Sequence, residues 1–147
     1  MTNHAPSSDR RILVDDRFDG SSVAAVRTKV TCVAAGEGLS GLALMRVAVA
    51  AHEVALNAVR HGGGDGRLCL WRTADALHCL VSDDGPGIPH GYRSLRPQSS
   101  GLDVWTSRYG LWLTGQMCSR VQITDRAEGG TDVLLEFPFE AGHATTS

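Results

Sequence analysis

The chain has 147 residues, 42% apolar and 20% charged, which suits one domain with a real core and excludes wholesale disorder. Fourteen basic residues against sixteen acidic ones leave a formal charge of -2, so no basic footprint for nucleic acid or an anionic membrane stands out. Four widely spaced cysteines (Cys32, Cys69, Cys79 and Cys118) form no C-x-x-C pair and sit among apolar neighbours. They read as buried free thiols in a reducing compartment, not as a disulfide framework or a zinc site.

Residues 1–10 and 141–147 are polar and read as frayed tails, which leaves a single domain at 11–140. The N-terminus has no apolar signal core, and the apolar run Gly41–Val59 is interrupted by Arg46, His52 and Glu53. A membrane span is therefore not expected, and a cytoplasmic protein is. Ile12–Val14 reads as a short strand closed by the polar run Asp15–Gly20. Ser21 and Ser22 are good N-caps for a helix through about Ala35, with Val23, Val26, Val30 and Val33 on one stripe. Ser40 caps a longer helix to about Arg60. Its apolar residues, among them Leu42, Met45, Val49 and Leu56, run nearly all the way round, so it should be mostly buried. Arg67–Arg72 and Leu77–Ser82 follow as a hairpin, in which Leu68, Leu70, His78 and Leu80 alternate with other side chains. A loop from Asp83 to about Thr106, a helix at Tyr109–Cys118, and strands at Arg120–Asp125 and Asp132–Phe137 complete the chain. Neighbouring hairpins predict an α+β two-layer sandwich, with a mixed, mainly antiparallel sheet and helices on one face.

Four features bear on chemistry. Glu53 and Asn57 are four residues apart on the long helix, so they share a face, and His61 follows one turn later. Polar groups on so apolar a helix are costly to bury unless something polar meets them. Asp83, with Gly85 and Gly87, puts a carboxylate at a strand end and lets backbone pass close to a ligand. Arg108-Tyr109-Gly110-Leu111 opens a helix whose free N–H groups could meet a phosphate. Gly129-Gly130-Thr131 leads into the last strand. Taken singly, each has a plain reading as a solvent face, a turn or a helix start.

In order, E-x-x-x-N-x-x-x-H, D-x-G-x-G, the G-L helix start and G-G-T resemble the GHKL (Bergerat) ATP-binding superfamily. The small size and element order look most like its anti-sigma factor serine/threonine kinase branch, of RsbW and RsbT type. The resemblance covers roughly Ile12 to Phe139 and implies ATP and Mg²⁺ as cofactors. It gives Glu53 the role of general base or orienting group for an attacking hydroxyl, and Asn57 that of Mg²⁺ ligand. It implies that Asp83 accepts from the adenine amino group beside Thr131, while Gly85 and Gly87 shape the pocket. It gives phosphate contacts to Gly110 and Leu111, with His61 and Arg60 near enough to help. Where the family's lid usually carries a glycine, this chain has Arg108, which either stiffens the phosphate loop or places a cation on the γ-phosphate.

The implied function is a serine/threonine protein kinase that phosphorylates an anti-sigma-factor antagonist, with a sigma factor as a further partner. A homodimer is among the expected assemblies; direct nucleic-acid or membrane binding is not. The alternative is a nucleotide-binding regulatory module that works by protein interaction with weak or no catalysis. No P-loop is present, and His4, His52, His78, His90 and His143 have no metal-ligand spacing.

Overall fold

The structure is a computed structural model and describes residues 10–61, 63–85 and 114–139. Within them the elements run β1 (Arg11–Asp19), α1 (Val23–Gly36), α2 (Gly41–His61), β2 (Asp65–Arg72), β3 (Ala76–Asp83), β4 (Arg120–Asp125) and β5 (Thr131–Pro138). Of the helix expected at 109–118, residues 114–117 are described and form a helical turn. The rest of that helix, the loop beyond Gly85 and the terminal segments lie outside the described residues.

Strand β1 is longer than its local pattern suggests. The polar run from Asp15 does not end it, because inward Val14 and Phe18 keep the two-residue period of a strand, both nearly fully buried. The two carboxylates between them have partners. Arg67 on β2 donates to both oxygens of Asp15 at 2.7 Å, and Lys29 on α1 reaches Asp16 at 2.7 Å. These pairs turn an apparent loop into a charged edge strand.

Helix α1 buries Val23, Val26, Val30 and Ala34. Ser22 stands at its N-cap position, but its hydroxyl accepts from the Asp19 N–H at 2.9 Å and does not cap the helix. Helix α2 buries Val47, Ala50, Ala51, Val54, Ala55 and Ala58 along one stripe. It is not mostly buried, as its composition suggests. Leu42 is 57% and Met45 45% exposed, because α2 packs on the sheet from one side only. By length and composition α2 could cross a membrane, but here that inward stripe belongs to the domain core.

All strand pairs among the described residues are antiparallel, in the order β1-β2-β3-β5-β4. The two-layer α+β architecture holds, with an antiparallel sheet. In the hairpin, Leu68 faces Val81 and Leu70 faces Cys79. The buried face of β3 is therefore Leu77, Cys79 and Val81 rather than His78 and Leu80. His78 lies on the opposite face, stacked on Trp71 with ring centroids 5.3 Å apart, while the Arg10 guanidinium covers Trp71 at 4.0 Å. All four cysteines are free. Burial pushes the Cys79 thiol up to about 12 and that of Cys118 to about 11, so both are inert at neutral pH. The buried reading holds fully for Cys79 alone: Cys69 and Cys118 are partly buried, and Cys32 lies on the exposed side of α1.

Candidate functional site

One end of the sheet gathers the polar residues that the core cannot use. Helix α2 ends at His61, and Gly63 and Gly64 then turn the chain into β2 with φ of 98° and 96°. Only glycine adopts such angles without strain. The turn also brings backbones together, since a Cβ on Gly63 would lie 3.7 Å from the Gly85 Cα. The last turns of α2 thus stand beside the segment that leaves β3.

Asn57 is one turn before that helix end and only 7% exposed. Its Nδ2 is buried without a hydrogen-bond partner among the described residues. A buried N–H donor left so costs about 1–3 kcal/mol, which a ligand acceptor such as a phosphate oxygen would recover. His52 Nδ1 is also unpartnered, but it projects from a different side of α2. Glu53, one turn before Asn57, is partly exposed and forms no ion pair among the described residues. Asn57 supplies a hard amide oxygen suited to Mg²⁺.

Across the sheet end, Asp83 on β3 faces Thr131 on β5 in register. Thr131 is fully buried, and its hydroxyl reaches Asp125 at 3.5 Å. The Gly85 N–H donates to the Asp83 carboxylate at 2.9 Å and so orients it. Burial raises the Asp83 carboxyl above the ordinary range, aided by neighbouring Asp84 and Asp132. The Gly85 N–H and the Arg126 charge pull it back down.

The structure brings together Asp83, Gly85 and Thr131, and sets the end of α2 next to them. Gly87, Arg108, Gly110 and Leu111 lie outside the described residues. Arg126 was not legible in the sequence. From the turn between β4 and β5 its guanidinium donates to the Asp83 carbonyl at 2.8 Å and to the Asp84 carboxylate at 2.6 Å, and it also pairs with Asp132. Its Asp83 and Asp84 partners lie 43 and 42 residues away in sequence, beyond any local signal.

The chain is similar to known proteins. Over 92 residues it is 32% identical to the sensor histidine kinase PdtaS of Mycobacterium tuberculosis, in two strains. That match takes in 58% of this chain but 18% of the relative, so the chain spans under a fifth of the curated relatives it matches. In fold it is similar to the mycobacterial sensor histidine kinase MprB, with a TM-score of 0.50 at 18% identity over 85% of this chain and 97% of that one. The family described as "Histidine kinase-like ATPase domain" matches residues 18–137, from the end of β1 through most of β5. With that match covering both helices, most of the sheet and its polar end, the chain belongs to the histidine kinase-like ATPase family.

Proposed function

We propose that the chain is a cytoplasmic, Mg-ATP-dependent serine/threonine protein kinase of the anti-sigma factor type. Its substrate would be an anti-sigma-factor antagonist, and it would also hold a sigma factor. The observation that carries the nucleotide reading is Asn57, a nearly buried amide with an unpartnered Nδ2, close to a sheet end that presents the Asp83 carboxylate. In this reading Asp83 accepts from the exocyclic amine of adenine, with the Thr131 side chain beside the ring. Asn57 gives its oxygen to Mg²⁺, whose charge would offset that of the phosphates. Glu53, one turn earlier on α2, orients the attacking hydroxyl or takes its proton. The order of the four motifs supports the nucleotide reading alone; the serine/threonine and anti-sigma reading is supported by the element order and the small size of the domain.

The test is phosphoryl transfer. With γ-labelled ATP, Mg²⁺ and candidate antagonists, the wild type should label a serine or threonine. Glu53→Ala should slow transfer by about 100-fold or more. Full transfer by Glu53→Ala would remove the role given to that residue. A second reading rests on Arg108, which stands where the resembling family's lid carries glycine. Here the domain binds nucleotide and signals by protein contact. Saturable ATP binding with no transfer to any antagonist would favour it.

A further inference from the structure

The guanidinium of Arg126 is spent on one place. It lies on the tight turn between β4 and β5, where the Arg126 N–H donates to the Gly130 carbonyl and the Gly129 N–H to the Arg126 carbonyl, both at 3.0 Å. From that braced position one terminal nitrogen is shared between the Asp83 carbonyl and the Asp84 carboxylate. The other terminal nitrogen pairs with Asp132, and Nε lies 3.4 Å from Glu128. The side chain is 22% exposed, so these are partly shielded, charge-assisted bonds.

Gly130 makes room for this contact. A Cβ there would overlap both the Arg126 guanidinium and the Asp83 carbonyl, and its φ of 99° already requires glycine. The G-G-T turn therefore does more than reverse the chain: it leaves open the path by which Arg126 reaches the end of β3.

We propose that Arg126 is a positioning residue for adenine recognition: it ties the end of β3 to the β4–β5 turn and thereby holds the Asp83 carboxylate in place. This rests on the reading of Asp83 given above. Asp83 is the last residue of β3, so its carboxylate is only as fixed as the chain that leaves the strand. The Gly85 N–H orients the side chain from one side, and Arg126 fixes the backbone from the other. Lysine keeps the charge but presents a single ammonium, so it cannot bridge three acceptors in a fork.

The experiment compares equilibrium binding of ATP with that of purine riboside triphosphate, which lacks the exocyclic amine, each with Mg²⁺. The wild type should prefer ATP by about tenfold or more, the worth of a hydrogen bond to a charged group. Arg126→Ala should bring that preference close to one, mainly by weakening ATP, and Arg126→Lys should fall between. A merely structural role would weaken both nucleotides equally and leave the preference intact, and that outcome overturns the proposal. If Arg126→Ala does not fold by thermal melting, Arg126→Lys carries the same comparison. A wild type that binds neither nucleotide, or does not prefer ATP, overturns the Asp83 reading itself and the proposal with it. A wild type with the preference and an Arg126→Lys variant that keeps all of it leave the Asp83 reading standing and remove Arg126.

Discussion

Asp83 has opposed demands on it. In the proposed role it accepts from a base amine most strongly when ionised, yet burial favours its neutral form, and the negative charges of Asp84 and Asp132 add to that. Its carboxyl is therefore raised, and the sign of the pH effect follows. The competent carboxylate is present above the raised value and is lost as pH falls through it. Nucleotide affinity should begin to fall at a higher pH than a free aspartate would give. Binding titrations across the acid range check this, with Asp83→Asn expected to lose the dependence. Gly130→Ala belongs to the same corner. The added methyl displaces the Arg126 head group and strains a positive φ, so stability should drop by about 1–3 kcal/mol and ATP should bind more weakly. Chemical denaturation and the same titration measure the two effects.

At the scale of elements, the faces of α2 and the closing of α1 are the informative cases. Leu70, central in the sheet and fully buried, should cost about 2–5 kcal/mol when cut to alanine. Leu42, more than half exposed on α2, should cost under about 1 kcal/mol, because it has little packing to lose. Denaturation midpoints separate the two. Glu37, just past α1, accepts from Arg11 at 2.7 Å and Arg72 at 2.8 Å and so ties the helix to β1 and β2. Burial pushes its carboxyl up, but the two guanidinium groups outweigh that and hold it below the ordinary value of 4.5. A depressed carboxylate stabilises the fold above its unfolded pKa and loses that contribution as pH falls through the folded one. Glu37→Gln should thus lose about 1–3 kcal/mol near neutrality and little in strong acid, as melts at the two pH values would show.

The same elements show what local pattern can and cannot carry. The helical stripe of α1 and the hairpin were legible because their periods are written in neighbouring residues. The length of β1 was not, since Asp15 and Asp16 look like turn residues until Arg67 and Lys29, 52 and 13 residues away, are seen to pair with them. Composition misled for α2, where an apolar count cannot tell which side meets the sheet. In the candidate site, Glu53, Asn57 and Asp83 were legible as types at set spacings. Arg126 was not, because its role exists only once β4, β5 and the end of β3 are side by side.

Over the whole molecule, topology does the assembling. Placing β5 between β3 and β4 sets Thr131 opposite Asp83, and running α2 back along the sheet ends it beside Gly85. In the proposed reading the chemistry sits at one rim of the sheet, where backbone turns would face a ligand. The most direct test is a titration of the purified chain with a fluorescent ATP analogue and Mg²⁺, beside Asn57→Ala and Asp83→Ala. The expected result is saturable binding by the wild type, weakened by about tenfold or more in each variant. No binding by the wild type, or undiminished binding by both variants, would contradict a nucleotide site at this end of the sheet.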